Sequence, residues 1–329
     1  VYHEFHGSIE KSSAKFLQER NRLLLIAKHW PDKLPEAISG RDYFTKNIDY
    51  IKNVSTVPYF GPEKFDLLYN FDIDDEAIKL ADKIKADKKY GFGKDGDYPT
   101  ALNSGASYYL NTMFDDELKK SNNKTYQEMM FMAAELHYEV EKYNLVLDEN
   151  DKEYADKFKS GNNFGKKKVI GIHMGASSRW PSKVWAESKV IEFIKMADNE
   201  GYEIILFGGP NEVEKHELII NKLKKEGVNV YRNNPNNTKR EFASLVNLCE
   251  VMICSDSLSL HVSIGLGKKT ICLFFCTSPD EVEDYGILKK VVSPLFKNFF
   301  PEKMNEYSKE LVESISAEEV MKNVEESLR

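Results

Sequence analysis

The second half of the chain alternates between uninterrupted apolar runs and segments of helical period. Lys168–His173, Glu203–Phe207, Val251–Cys254 and Thr270–Phe275 are apolar runs without polar alternation, and each gives way abruptly to glycine or small polar residues. That pattern predicts parallel strands covered on both faces. Between them, Val190, Ile194 and Ala197 mark one face of a helix stopped by Gly201. Further helices are predicted up to Lys225, from Thr238 to Leu248, and after Ser257, with a short strand over Val228–Tyr231. Strand and helix in regular alternation predict an α/β domain with a parallel sheet.

The first half is less regular. A helix is predicted from Ser12 to His29, with Phe16, Leu23, Leu24 and Ala27 on its apolar face and Pro31 and Pro35 ending it. Strands are predicted over Ile48–Val57, Phe65–Phe71 and Lys89–Phe92, with a helix from Asp74 to Lys85 between the last two. Residues 94–122 read as a loop around Tyr108, Tyr109 and Phe114, either a ligand-binding loop bordering a cleft or a surface lid. An amphipathic helix through Tyr126, Met129, Met130, Ala133 and Ala134 is expected to carry His137 at the edge of the core. A strand over Asn144–Leu147 and a linker with a short helix over 148–168 complete this half.

The division that follows is a helical segment over 1–40, a Rossmann-like domain over 41–160 and a second over 167–300. Residues 301–329 form a C-terminal helix expected to pack back on the first domain.

Composition narrows the function classes. With 41% hydrophobic and 30% charged residues, a net charge of −7 and both signs interspersed, the 329-residue chain has neither the basic stripe of a nucleic-acid binder nor an apolar run long enough to span a membrane. No secretory signal is read at the N-terminus, so a cytoplasmic setting is expected, with peripheral contact to the inner membrane left open. Cys249, Cys254, Cys272 and Cys276 lack the paired spacing of zinc ligands and read as reduced, structural thiols.

Candidate chemistry gathers where the apolar strands end. In an open α/β sheet, ligands bind beyond the carboxyl ends of the strands, and helix N-termini there favour anions. The turns at those ends hold Gly175, Ser177, Arg179 and Lys183; Gly208, Gly209 and Glu212; Asp256 and Ser257, with His261 further along the helix; and Thr277 and Ser278. Glycine lets backbone N–H groups approach a phosphate, and Arg179 and Lys183 bring positive charge. Glu212 serves equally well as a ligand contact or as an acid at a helix start. His173 reads as a buried structural histidine, and Asp72, Asp74 and Asp75 read as helix caps rather than as metal ligands.

Asp256-Ser257-x-x-x-His261, followed by a small-residue helix, Gly267-Lys268 and a strand ending in Thr277-Ser278-Pro279, resembles the donor-site signature of family 9 glycosyltransferases, the bacterial lipopolysaccharide heptosyltransferases. Leu258 and Phe275 stand where that family has glycine, and Ser178 where it has lysine before Trp180-Pro181. The resemblance covers about residues 41–300. At the other end, Arg20-Asn21-Arg22-Leu23 and Lys28-His29-Trp30-Pro31 look like the tail of a family 2 glycosyltransferase, which implies that residues 1–40 are the tail of an upstream domain.

The resemblance implies two Rossmann-like domains facing across a cleft (the GT-B architecture), the first incomplete at its N-terminus. It implies an inverting, metal-independent transfer of a heptose-like sugar from a nucleoside diphosphate, ADP favoured, to a glycan or glycolipid acceptor. No cofactor is expected. The family's general base belongs in a first Gly-Asp turn, but Gly7 is followed by Ser8; His6 and Glu10 are the nearest candidates. The missing turn motivates an alternative, a noncatalytic glycosyltransferase-like binding module of a larger enzyme.

Overall fold

The computed structural model describes residues 64–96, 98–162, 164–165, 167–175 and 179–329. The predicted helix Ser12–His29, the predicted strand Ile48–Val57, and His6, Glu10 and Ser177 lie outside the described residues. The chain divides into two compact units. One contains Lys142–Pro279 and Asp284–Arg329, and the other contains residues 64–141 with Asp280–Glu283.

In the unit of residues 64–141, strand β1 (Phe65–Asn70), helix α1 (Asp75–Lys83) and strand β2 (Ala86–Asp95) form a parallel βαβ step, and β3 (Tyr98–Ala101) returns antiparallel to β2. Asp74 caps α1 by accepting the Ala77 N–H at 2.8 Å, and Asp72 accepts the Asp74 N–H at 3.0 Å. Asp75 pairs with Lys94 at 2.8 Å, so all three carboxylates have a local structural task. Gly91 has φ +93°, and a Cβ there would stand 1.9 Å from the Asn70 carbonyl oxygen. Only glycine fits between the strands at that point.

Residues 94–122 are not the predicted loop. Besides β3 they form α2 (Ser104–Thr112) and α3 (Asp116–Ser121), followed by α4 (Tyr126–Ala134). The small residues that suggested a loop mark a close helix crossing, for a Cβ on Gly105 would lie 1.9 Å from the Met132 carbonyl oxygen of α4. Tyr108 donates to Asn122 at 2.9 Å, while Phe114 is exposed. The predicted continuation of α4 to His137 also fails. Glu135 turns left-handed at φ 56° and ends the helix, leaving the His137 side chain 85% exposed rather than at a core edge.

In the other unit, helix α5 (Glu149–Gly161) precedes strand β4 (Val169–His173), α6 (Glu187–Asn199), β5 (Glu203–Phe207), α7 (Val213–Lys225), β6 (Tyr231–Arg232), α8 (Lys239–Val246) and β7 (Val251–Ser255). Then come α9 (Leu258–Gly265), β8 (Lys269–Phe274), β9 (Leu288–Val292), α10 (Lys309–Glu313) and α11 (Ala317–Leu328). The strands form one six-stranded sheet in the order β6-β5-β4-β7-β8-β9, every neighbouring pair parallel. This is the Rossmann order.

In β4, β5, β7 and β8 successive residues face opposite sides, and both sides are buried. Ile170, Ile172, Ile204, Leu206, Val251 and Ile253 share a core with α6, α7 and α11. Val169, Ile205, Phe207 and Met252 pack with α8 and Val262 of α9. Covering both faces is why these strands read as continuous apolar runs. The four cysteines are buried thiols, and burial raises the pKa of Cys249 and Cys272.

Three further expectations change. Asn144–Leu147 forms no strand; Leu145 instead donates to the Gly265 carbonyl at 2.6 Å, against the end of α9. The supposed linker helix α5 belongs to the six-stranded unit, where Arg240 of α8 donates to Asp151 at 3.1 Å and lies 3.4 Å from Asp148. The C-terminal helix α11 buries Ala317, Val320, Met321 and Val324 in the core of its own sheet, where an approach to the first domain was expected. Among the described residues no helix is long and apolar enough to cross a membrane.

Candidate functional site

The strand order reverses direction between β4 and β7, the first and fourth strands of the sheet in sequence, so the chain leaves these neighbours toward opposite sides. The crevice beyond their carboxyl ends is where open α/β sheets place ligands. Because all six strands are parallel, Gly175 after β4, Gly208 after β5, Asp256 after β7 and Thr277 after β8 lie at one edge, as their sequence positions require.

At that switch point stands a buried ion pair. Lys183 Nζ donates to Asp256 Oδ2 at 3.2 Å, and the two residues are 2% and 5% exposed. Burial alone pushes the Asp256 carboxyl up, but the Lys183 ammonium beside it holds it below the ordinary carboxylate range. Among the described residues Asp256 Oδ1 has no hydrogen-bond partner. A buried carboxylate with one unused oxygen is costly unless a donor meets it, and a ligand hydroxyl in the crevice is such a donor. Lys183 was expected as a cation for phosphate; its ammonium is directed at Asp256.

The short helical turn Pro181–Lys183 that carries Lys183 is bolted to the C-terminal segment. Ser182, fully buried, donates to the Glu306 carbonyl and accepts from the Ser308 N–H, both at 2.8 Å. Trp185 Nε1 donates to the Ile315 carbonyl at 3.0 Å. The segment before α11 therefore fixes the lysine that fixes Asp256. Lys183 Nζ and Arg179 Cζ each lie 5.0 Å from the Trp180 ring centroid, and Arg179 is the exposed cation of this turn.

On the β5 side, Glu212 Oε2 accepts the Gly209 N–H at 2.7 Å and so closes its own turn. A Cβ on Gly208 would lie 2.6 Å from Glu212 Cβ and 2.8 Å from His216 Cε1, and one on Gly175 would lie 3.0 Å from the His173 ring. Both glycines leave room for these side chains. His173 and His216 have pKa values lowered to about 4, in each case chiefly by burial, with His216 acting on His173 and Arg232 on His216. Both rings are neutral at pH 7. Buried Asn233 clasps the turn, accepting the Gly208 N–H at 3.0 Å and donating to the Gly208 carbonyl at 3.1 Å.

Beyond β7, Ser257 is the N-cap residue of α9, and its hydroxyl meets that of Ser259 at 2.8 Å. The N-cap side chain makes no bond to the helix backbone, so the first turn of α9 is open to another acceptor. His261, one turn on, has its Nδ1 3.4 Å from the Tyr143 hydroxyl. Thr277 and Ser278 are buried at the end of β8. The structure thus gathers Gly175, Lys183, Gly208, Gly209, Glu212, Asp256, Ser257, His261, Thr277 and Ser278 in one unit and along one sheet edge. Asn233, Tyr143 and Ser182 were missed: each acts through a contact at least 25 positions away in sequence, and no local pattern marks them.

With this geometry in view, comparison with known proteins is decisive. The family model "Glycosyltransferase family 9 (heptosyltransferase)" matches residues 63–310. The chain belongs to glycosyltransferase family 9. A stretch of 111 residues is 32% identical to lipopolysaccharide heptosyltransferase 2 of Salmonella typhimurium and 30% identical to that of Escherichia coli; it spans 33% of this chain and 30% of either relative. Among solved structures, a family 9 glycosyltransferase of Veillonella parvula aligns with TM-score 0.64 at 19% identity, over 86% of this chain and 79% of the other. The E. coli ADP-heptose lipopolysaccharide heptosyltransferase II aligns with TM-score 0.59 at 17% identity, over 86% and 81%. At these identities the likeness speaks to the fold. The family 9 assignment agrees with the α/β class, the parallel sheet and the Asp256-Ser257-x-x-x-His261 signature.

Proposed function

We propose that this family 9 chain transfers a heptose-like sugar from a nucleoside diphosphate, with ADP-heptose the favoured donor, to a lipopolysaccharide-type glycan acceptor. The observation that carries the reading is the buried Asp256–Lys183 pair at the switch point of the sheet, with one carboxylate oxygen unused. In this reading Asp256 accepts from a hydroxyl of the donor, and Lys183 keeps the carboxylate ionised and aimed. The open N-terminus of α9 receives the diphosphate, with the exposed Arg179 and the hydroxyls of Ser257, Thr277 and Ser278 beside it. The Gly208-Gly209 turn, braced by Glu212 and Asn233, forms the nucleoside side.

The transfer is an in-line displacement. The acceptor oxygen bonds to the anomeric carbon as the bond to the diphosphate oxygen breaks, so the configuration inverts, and the acceptor proton passes to a base. Charge growing on the departing diphosphate is met by the α9 N–H groups and Arg179, a stabilisation that needs no metal. For the base, His6 and Glu10 remain the candidates. The test is ADP release from ADP-heptose with a heptose-terminated lipopolysaccharide acceptor. The chain is expected to release ADP only when acceptor is present, and Asp256→Ala to lower kcat/KM about 10- to 100-fold. Acceptor-dependent turnover unaffected by Asp256→Ala would overturn the assignment of the site.

A further inference from the structure

The segment between Lys142 and Leu147 has no regular structure, yet it is held in place with unusual care. Leu145 donates to the Gly265 carbonyl at 2.6 Å, and Leu147 packs with Leu145 against the core face that α8 and α9 share. Gly265 is what admits the segment. A Cβ there would come 3.2 Å from Leu145 Cβ, tight enough to push that residue by a few tenths of an ångström, and 3.4 Å from the Tyr143 ring, so the segment lies directly on the helix at the glycine. On its other flank the Tyr143 ring meets Tyr285 edge-on, with centroids 5.9 Å apart. Tyr285 has φ 47°, a left-handed conformation that costs energy for a non-glycine residue and persists where packing fixes it.

These contacts set one polar atom, the Tyr143 hydroxyl, 3.4 Å from His261 Nδ1. His261 lies one turn into α9, the helix that opens after Asp256 and Ser257. We propose that Tyr143 is a positioning residue for His261: its hydroxyl donates to Nδ1 and so fixes the neutral imidazole with its proton on Nε2. An unprotonated imidazole nitrogen is a better acceptor than a phenol oxygen, and whichever nitrogen accepts, the other must carry the hydrogen. The consequence rests on the donor reading above. With Nε2 as a permanent donor, His261 offers an N–H to an anionic oxygen at the start of α9 without becoming charged. Nothing in the Asp256-Ser257-x-x-x-His261 signature contains this tyrosine, which lies 118 positions away.

The test uses the whole chain labelled with nitrogen-15 and a long-range proton–nitrogen correlation spectrum at about pH 8, above the ordinary histidine range. His261 is assigned by the signals lost in His261→Gln. The expected result is a single Nε2-protonated tautomer in the wild type and a mixture of both tautomers in Tyr143→Phe, which keeps the ring and its packing. ADP affinity is expected to fall about 2- to 10-fold in Tyr143→Phe, the range for one hydrogen bond. A wild-type His261 protonated on Nδ1, or a tautomer unchanged in Tyr143→Phe, would overturn the proposal, and the first of these needs no variant to fold. A wild-type chain that binds no ADP would instead overturn the donor reading, while the tautomer still decides the role of Tyr143.

Discussion

Lys183 and Asp256, 73 positions apart, meet at 3.2 Å in a place where both are almost wholly buried. Removing one member of such a pair leaves a buried, uncompensated charge, at a cost of about 3–5 kcal/mol. Lys183→Met is therefore expected to lower the urea midpoint strongly, with an unchanged slope. Asp256→Asn in the same chain is expected to restore part of the loss, because no charge is then stranded. A double variant as unstable as the two single losses added together would show that the two groups are not coupled.

The pair and the two neutral histidines make stability depend on pH in a definite direction. His173 and His216 titrate at about 4 in the folded chain, against about 6.5 when unfolded. Between those values the unfolded chain binds more protons, so stability falls as pH falls, by about 1.4 kcal/mol per pH unit for each ring. Asp256, depressed in the folded state, adds stability that is complete above the ordinary carboxylate range and is lost as pH falls through its folded value. Urea midpoints from pH 7 down to pH 4 are expected to decline, and His216→Phe to flatten the curve. A flat wild-type curve would contradict the burial of these rings.

The turn carrying Lys183 depends on Ser182. Ser182→Ala deletes a donor to Glu306 and an acceptor for Ser308, worth about 1–3 kcal/mol together. Chemical denaturation is expected to show that loss, and calorimetry a weaker affinity for ADP, because the Lys183–Asp256 geometry loosens. Full affinity in a destabilised Ser182→Ala chain would mean that the C-terminal segment supports the fold alone.

What the sequence revealed divides along a physical line. The six-stranded sheet was legible because β4, β5, β7 and β8 are buried on both faces and read as unbroken apolar runs, and Asp256-Ser257 stood out as the polar break after one of them. Gly105 misled, since a glycine needed for close approach to Met132 looks in sequence like a glycine needed for a turn. His137 was misplaced because helical period alone cannot announce that Glu135 will turn left-handed. Lys183 was recognised as a site residue, but its direction toward Asp256 is set by the bonds of the neighbouring Ser182 to residues 306 and 308, which lie outside any local window.

Gly171 gives a stringent test of the core beneath the site. A Cβ there would lie 2.2 Å from Met252 Sδ, 2.8 Å from Cys249 Sγ and 2.9 Å from the Phe207 ring. Gly171→Ala is expected to cost about 1–3 kcal/mol through overpacking. In Gly171→Ala with Met252→Ala, which opens the tightest of these contacts, the coupling measured by urea unfolding is expected to be favourable. Purely additive losses would place the clash elsewhere.

In the proposed function, Asp256 holds a nucleoside diphosphate sugar at the carboxyl ends of the six-stranded sheet. Isothermal calorimetry of ADP-heptose with the wild type and with Asp256→Ala, each verified as folded by its unfolding curve, tests it most directly. Binding by the wild type is expected, with an affinity about 10- to 100-fold weaker in the variant, the loss of one hydrogen bond to a charged group. Equal affinity in the two folded proteins would contradict it.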